Sequence, residues 1–183
     1  MIKLQNISVS FEGRTVLENF SYEFPKKGLV LVTGPSGSGK TTLLNVILGF
    51  IKPEGQVKSY AKAVSAVFQE DRLVPTLTAL ENVSLVSNKD EAKKRLIEMK
   101  LGDSLDLYPS ELSGGMKRRV AIARALAMPS DVLILDEAFS GIDDPLAKEL
   151  ILEILKEKKD NLIIAVTHRP ELFEGLSYSV CEI

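Results

Sequence analysis

The sequence predicts an α/β fold built around a mostly parallel β-sheet. Residues 28–32, 132–135 and 162–166 form short, wholly apolar runs, and such runs are typical of strands that are buried on both faces. Segments with the spacing of amphipathic helices lie between these runs. Because strands that alternate with helices form parallel sheets, we expect a parallel core.

The first third of the chain adds strands of another kind. Apolar and polar residues alternate over residues 2–9, and an aromatic-rich run covers residues 20–24. The pair Glu12-Gly13 predicts a turn between them, and Pro25 predicts the next turn. We therefore expect an antiparallel β portion at the N-terminus, ahead of the parallel core.

Helical segments follow from residue 40 onward. Helical spacing begins at Lys40 and is closed by Gly49, and residues 63–68 return to a strand pattern. Residues 77–107 are polar and charged with helical spacing, which predicts an inserted helical arm. Further helices are expected after Ser113 and around Pro145.

These elements predict one domain over residues 1–183, with a helical subdomain at approximately residues 77–128. We interpret Lys93, Lys94 and Arg95 as part of a solvated face of the helical arm. Cys181 is interpreted as an ordinary small residue of a last strand.

Composition excludes several classes of function. The 183 residues carry a formal net charge of −2, with 45% hydrophobic and 26% charged residues, so nothing favours a nucleic-acid partner. The apolar runs are far shorter than the roughly 20 residues of a membrane-spanning helix, and no secretory signal is expected at the start of the chain. A single cysteine forms no internal disulfide. We expect a cytoplasmic protein.

A glycine-rich segment carries the strongest chemical signal. Residues 34–41, which are Gly34, Pro35, Ser36, Gly37, Ser38, Gly39, Lys40 and Thr41, fit the pattern G-x-x-x-x-G-K-[ST] and stand between an apolar strand and a helix. Backbone N–H groups of such a loop surround phosphates, and the helix N-terminus adds roughly half a positive charge. Lys40 would neutralise the outer phosphates, and Thr41 could ligate Mg²⁺.

Two carboxylates follow a buried strand at the edge where open α/β sheets bind ligands. Asp136 is suited to hold Mg²⁺, and Glu137 to orient and polarise a water that attacks a phosphate. A second glycine pair, Gly114-Gly115 after Ser113, opens another predicted helix. One nucleotide in the same subunit does not need this second anion site, so it indicates a partner molecule.

Taken together, these motifs resemble those of the ABC-type ATPases, the nucleotide-binding subunits of ABC transporters, and the resemblance covers essentially the whole chain. It implies a P-loop NTPase fold. The landmarks are Phe11, the Walker A loop from Gly34 to Thr42, Gln69, the signature from Leu112 to Met116, Asp136 with Glu137, Asp143 and His168.

The resemblance implies a role for each landmark. Phe11 would stack on adenine, Gln69 would contact the metal and sense the transporter, and His168 would be the switch histidine beside the catalytic Glu137. Two subunits would face head to tail, with Ser113, Gly114, Gly115 and Asp143 of one acting on the ATP that the other holds. ATP with Mg²⁺ would thus join the two halves of a homodimer or pseudo-symmetric dimer.

Each of these roles has a simpler structural alternative. Phe11 could be a core residue, Gln69 a solvent-facing strand end, and His168 a satisfied structural group. Asp143 could merely cap the following helix, and both functions can coexist.

Departures from the common family pattern are Met116 and Arg118, both at positions often held by glutamine, and Ala138, where proline is frequent. None removes a phosphate, metal or water ligand. Residues 69–83 look like the segment that docks on the permease in nitrate/sulfonate/taurine-type importers. The resemblance thus implies import, integral membrane permease partners, a separate solute-binding protein, and a peripheral position on the inner face of the membrane.

Other functions are a soluble ABC-type ATPase of DNA maintenance or translation, a P-loop kinase or GTPase, and a regulatory subunit without turnover. The small helical arm and single nucleotide domain oppose the first. The second would leave Gly114, Gly115 and Gln69 without purpose. Intact Lys40, Glu137 and His168 oppose the third.

Overall fold

The computed structural model describes residues 2–183, which form two β-sheets and five α-helices. The strands are β1 (Ile2–Phe11), β2 (Arg14–Glu23), β3 (Gly28–Thr33), β4 (Glu54–Ser59), β5 (Val64–Val67), β6 (Val132–Asp136), β7 (Leu162–Val166) and β8 (Ser179–Glu182). The helices are α1 (Lys40–Ile47), α2 (Ala79–Ser84), α3 (Lys89–Glu98), α4 (Gly114–Ala127) and α5 (Asp144–Glu157), with short 3₁₀ turns at Gly102–Ser104, Pro109–Glu111 and Pro170–Phe173.

The N-terminal sheet has the order β2-β1-β4 and is antiparallel throughout. Burial alternates along β1, so one face packs on the core and the other faces solvent, as expected for such a sheet. Strand β4 was not predicted, because all six of its residues are exposed and no apolar alternation marks them. Strand β2 begins at Arg14, well before the aromatic run that predicted it.

The core sheet has the order β5-β6-β7-β3-β8, and all its pairs are parallel. Alternate residues of β3 face opposite sides: Leu29 and Leu31 pack with the helices α2 to α5, whereas Val30 and Val32 pack with α1 and the N-terminal sheet. All residues of β6 and β7 are buried. Each fully buried aliphatic side chain stabilises the fold by about 1.5–3 kcal/mol.

Register within the core sheet determines where the functional residues lie. Val166 of β7 pairs with Asp136 of β6 on one side and with Val32 of β3 on the other. The carboxyl ends of these three strands therefore reach the same edge, which brings the segments that follow them together.

Helices α2, α3 and α4 pack on one another and share the larger apolar cluster with the far face of the sheet. Asn88 caps α3, and Thr78 with Glu81 forms a capping box at α2. None of the helices between residues 2 and 183 has the length and apolar character that spanning a bilayer requires.

The interpretation of Arg95 as part of a solvated face was wrong. Arg95 is buried and donates hydrogen bonds to Glu91, Glu98 and Glu157, the last of which lies on α5. The charge pattern of α3 alone does not show that the carboxylate of Glu157, on another helix, will accept a hydrogen bond from the guanidinium. Packing between helices therefore decides the environment of Arg95.

Candidate active site

The loop between β3 and α1 needs glycine at two positions for steric reasons. Gly34 has φ 146°, and a Cβ there would lie 2.5 Å from the carbonyl oxygen of Ile183 and 2.7 Å from Ser38 Oγ. Gly39, with φ 102°, caps α1 and would place a Cβ 2.9 Å from Leu17. Other parts of the chain thus pack closely on the loop at these two positions. Any residue with a side chain there would collide with them, so both positions require glycine.

Lys40 begins α1 and is 8% exposed. Its ammonium group donates hydrogen bonds of 2.8 Å to the carbonyl oxygen of Gly34 and 2.7 Å to that of Pro35. These contacts hold the loop against the lysine side chain. They also place the positive charge of Lys40 close to the N-terminus of α1.

A cavity of about 300 Å³ lies against this loop. Ten predicted site residues line it, and so do two valines that the sequence did not indicate: Ser36, Gly37, Gly39, Lys40, Thr41, Thr42, Gln69, Asp136, Glu137, His168, Val16 and Val166. Residues from five segments that are distant in sequence therefore meet at one place. The two valines come from ordinary strand patterns, and nothing in the sequence distinguishes them from core residues.

Asp136 is the last residue of β6 and is 4% exposed. Burial raises the pKa of its carboxyl, and the neighbouring charge of Glu137 raises it further; the cations Arg118 and Lys40 act in the opposite direction. A carboxylate that is costly to ionise in this way gains when a cation is placed against it.

Glu137 follows directly and adopts the left-handed conformation, with φ 50°. Non-glycine residues in this region are strained, and strain of this kind concentrates at functional sites. Its Oε2 accepts a hydrogen bond of 3.3 Å from the backbone N–H of His168. Its Oε1 is buried and finds no hydrogen-bond partner within residues 2–183, and it lies 3.6 Å from His168 Nε2.

These polar atoms fit a phosphate ligand, Mg²⁺ and a water. Ser38 Oγ is a second buried atom that lacks a partner in the described chain. No cluster of three or more His, Cys, Asp or Glu side chains suited to a metal occurs among residues 2–183. The hydroxyl of Thr41, the amide of Gln69 and the carboxylate of Asp136 are instead an oxygen set of the kind that shares Mg²⁺ with nucleotide phosphates.

The second glycine site lies outside this cavity. Ser113 is exposed and caps α4, and its Oγ accepts a hydrogen bond from the N–H of Met116. A Cβ on Gly115 would lie 2.7 Å from the carbonyl oxygen of Gly141, whereas a Cβ on Gly114 would meet nothing within 4 Å. Packing within the chain therefore explains Gly115 but not Gly114.

Asp143 caps α5 by accepting a hydrogen bond from the N–H of Leu146, so the capping function considered for it is present. The neighbouring segment is held by a residue that the sequence did not indicate. Arg169, next to His168, donates to the carbonyl oxygens of Phe139 (2.8 Å) and Ile142 (3.0 Å) and pairs with Asp144. An arginine in a loop gives no sequence signal for such contacts.

Phe11 ends β1 and is 47% exposed, so the alternative that it belongs to the core is wrong. It does not line the cavity, and neither do Gly34, Pro35 and Ser38. Gly34 and Pro35 act through their carbonyl groups on Lys40, as described above.

Gln69 lines the cavity at the start of an irregular segment that leads to α2. Asn82 orders the end of this segment: it is fully buried and bonds the backbone of Val74, Leu77 and Thr78. Sequence reasoning missed Asn82, because a lone amide on a short helix resembles a surface residue until its burial is known.

The fold and the site define the class of protein: a P-loop nucleotide-binding protein with an added antiparallel sheet and helical insertion. The family model "ABC transporter" matches residues 17–140, and the chain belongs to the ABC transporter family.

Similar proteins agree with this assignment. The bicarbonate transport ATP-binding protein CmpD of Synechocystis sp. is 42% identical over 175 residues, which cover 84% of this chain and 62% of that protein. The taurine import ATP-binding protein TauB of Rhizobium johnstonii is 37% identical over 202 residues, covering 96% of this chain and 77% of that protein. The chain thus spans less than two thirds of the first of these relatives.

Among solved structures, a dimeric ATP-binding cassette in a post-hydrolysis state with ADP and Pi has a TM-score of 0.83 and 29% sequence identity, and the match covers 94% of this chain and 90% of that one. The predicted family and fold are confirmed, and with them the general assignment as an ATP-binding protein of an ABC transporter.

Proposed function

We propose that the chain hydrolyses ATP with Mg²⁺ between two subunits, and that this cycle drives import of a solute through a membrane permease. The observation that carries the proposal is a pair of incomplete sites. One is a cavity with an unpartnered Glu137 oxygen, and the other is the exposed N-terminus of α4 with open space at Gly114.

Nucleotide binding follows from the loop and the helix behind it. The backbone from Gly34 to Thr42 surrounds the phosphates, and the ammonium group of Lys40 neutralises them. Phe11, exposed at the end of β1, supplies a surface on which adenine stacks.

Thr41, Gln69 and Asp136 would hold Mg²⁺, which supplies charge neutralisation at the phosphate oxygens. Glu137 then orients and polarises the attacking water through the carboxylate oxygen that no group of the described chain occupies. The N–H of His168 holds the other oxygen in place, and its exposed imidazole, which lines the cavity, would contact the terminal phosphate.

A second subunit gives the signature residues their purpose. Ser113 and the free N–H groups at Gly114 and Gly115 form an anion site that would cover the terminal phosphate held by a partner, with Asp143 beside it. The partner is a second copy or a pseudo-symmetric relative. Loss of the bridging phosphate on hydrolysis then separates the two subunits.

The permease would dock on residues 69–83 and the aromatic surface beside them. Phe50 is 64% exposed, stacks on Phe68 with ring centroids 6.2 Å apart, and Arg72 lies over the Phe68 ring at 4.0 Å. Exposed aromatic groups with an arginine are the usual composition of a protein interface.

Residues 77–128 would move as a helical subdomain against the core.

A permease partner implies a position on the cytoplasmic face of the membrane and a separate solute-binding protein. The proteins named for bicarbonate transport and taurine import are similar to this chain, which supports import. The net charge of −2 supports no nucleic-acid partner.

Glu137→Gln tests the proposal. The amide keeps the shape but cannot act as a base, so we expect hydrolysis to fall by about 100-fold or more while ATP binding persists. The ATP-bound dimer should accumulate and elute early in size-exclusion chromatography. Glu174→Gln, which removes the same charge at an exposed position away from the cavity, should behave as the wild type. An unchanged turnover rate in Glu137→Gln would remove Glu137 from catalysis.

A further inference from the structure

Two arginines of α4 hold the backbone of the segment that carries Gln69. Arg118 is 7% exposed and donates hydrogen bonds to the carbonyl oxygens of Phe68 (2.6 Å) and Gln69 (2.5 Å). Its Nη1 also lies 3.1 Å from a carboxylate oxygen of Asp71. One guanidinium thus fixes three points within four residues.

Arg124 continues the contact six residues further along the same helix. It donates to the carbonyl oxygens of Asp71 (3.0 Å) and Arg72 (2.9 Å). Four carbonyl groups between residues 68 and 72 are therefore bound by side chains of α4. These residues belong to no helix or strand, so their carbonyl groups have no ladder to join.

The identity of Arg118 is what makes this arrangement possible. A guanidinium presents several donors in a rigid planar fork, whereas the shorter glutamine that is common here has a single NH₂ group and no charge. Burying the cation is costly unless it is paired and hydrogen-bonded, and Asp71 with the two carbonyl groups meets that requirement.

We propose that Arg118 is a positioning residue that fixes Gln69 relative to α4 and to the end of β6. The inference rests on the proposed function, because it assigns Arg118 the task of placing a metal-contacting glutamine. The glutamine segment and the signature helix then form one unit, held together at four backbone points. The fork of Arg118, and not merely its charge, supplies the position.

Loss of the positive charge of Arg118 and loss of the position of Gln69 should have different effects on Mg²⁺ binding. Arg118 is one of the cations that act on Asp136. Removing a positive charge beside a Mg²⁺ site would by itself strengthen Mg²⁺ binding. Losing the position of Gln69 would weaken it, so the two explanations predict changes of opposite sign.

Arg118→Gln is the main test, and limited trypsin digestion of the nucleotide-free protein is its first measurement. Cleavage after the exposed Arg72 requires the segment to open locally. Because two charge-assisted hydrogen bonds are lost, we expect cleavage between Arg72 and Leu73 to be about tenfold faster than in the wild type. The fragments 1–72 and 73–183 are identified by mass. Wild-type resistance at this bond in Arg118→Gln would overturn the proposal.

Arg119→Gln is the matched control. Arg119 is the next residue on α4 and also donates to two carbonyl groups, those of Met99 and Lys100, but it does not contact the glutamine segment. Arg119→Gln therefore loses the same charge and the same number of backbone hydrogen bonds as Arg118→Gln. Cleavage after Arg72 should stay at the wild-type rate in this variant, and equal acceleration would show a general loosening instead of a specific position.

The second measurement is the free Mg²⁺ concentration that gives half-maximal ATP hydrolysis. In Arg118→Gln we expect it to rise several-fold, while ATP affinity without Mg²⁺ stays unchanged because the phosphate loop is intact. A fall, or no change, would overturn the proposal. This result is distinct from a failure of the proposed function, since the trypsin measurement needs no hydrolysis.

Arg118→Lys separates charge from geometry and serves if Arg118→Gln does not fold. Lysine keeps the cation but cannot present a planar fork. We expect faster cleavage after Arg72 and a higher Mg²⁺ requirement in this variant too. Wild-type behaviour of Arg118→Lys would show that charge is sufficient and would overturn the assignment.

Discussion

The phosphate loop and the N-terminus of α4 are both glycine-containing sites at the start of a helix, but the rest of the chain packs on them differently. At the phosphate loop, a Cβ on Gly34 or Gly39 would collide with atoms within 3 Å. At α4, a Cβ on Gly115 would also collide with the chain, but a Cβ on Gly114 would meet nothing within 4 Å, and Ser113 is exposed. Packing within the chain therefore does not require glycine at position 114.

The difference shows that glycines at the start of a helix can have two different roles. In the first site, glycine permits a backbone conformation, and the ligand groups converge on a cavity of about 300 Å³. In the second, Gly114 leaves open space at its Cβ position, which under the proposed function accommodates the phosphate held by a partner. A site built from contacts within one chain and a site that the same chain leaves open should respond differently to substitution.

Lys40→Ala should have the largest effect, because it removes the cation of the phosphate loop itself. The ammonium group is held beside the loop by two carbonyl oxygens, and losing one or two charge-assisted contacts to phosphate should weaken ATP affinity by roughly 100-fold. Fluorescent nucleotide titration measures this. Lys62→Ala, which removes an exposed lysine elsewhere, should bind as the wild type does. Tight ATP binding by Lys40→Ala would contradict the role of Lys40.

Gly114→Ala and Gly115→Ala sharpen the comparison within the second site. Gly114→Ala should keep ATP affinity and thermal stability, since its Cβ meets no atom of the chain, but hydrolysis should fall about tenfold as the space for the partner's phosphate closes. Gly115→Ala should in addition lose about 1–3 kcal/mol of stability through the contact with Gly141. Calorimetry and a phosphate-release assay separate the two effects. Full activity in Gly114→Ala would mean that the open space has no function.

Lowering the pH should have the smallest of these effects, through the protonation of Asp136. The pKa of Asp136 is raised by burial and by Glu137, so its carboxyl takes up a proton at a higher pH than an ordinary aspartate does. Mg²⁺ needs the carboxylate, and the free Mg²⁺ required for half-maximal hydrolysis should therefore rise as the pH falls, starting above the pH at which an ordinary aspartate protonates. The slope should not exceed about tenfold per pH unit. A Mg²⁺ requirement that stays constant as the pH falls would contradict the assignment of Asp136 as a ligand.

Some elements of this chain are encoded in local sequence patterns, and others depend on contacts between distant residues. The parallel core was predictable because residues 132–135 and 162–166 are apolar throughout, which leaves few alternatives to a doubly covered strand. The phosphate loop was predictable because its glycines act locally. Strand β4 was not, because its six residues are all exposed and only pairing with β1 makes it a strand.

Long-range side-chain contacts were the main omission. Arg118 and Arg169 act on carbonyl groups of segments distant in sequence, 68–69 and 139–142 respectively. Arg95 was misjudged for the same reason, since Glu157 of another helix accepts its hydrogen bond. Arginine is normally a surface residue, and its type alone does not reveal which backbone it will reach.

The sequence by itself determined the class of protein and the chemistry of its loops, because glycine spacing, strand hydrophobicity and the order of acidic residues act over a few neighbours. Only the tertiary structure decided which oxygen of Glu137 stays free, which glycine faces solvent, and which arginines hold the glutamine segment. These outcomes depend on distances between residues far apart in the chain, and such distances are set by strand register and helix packing.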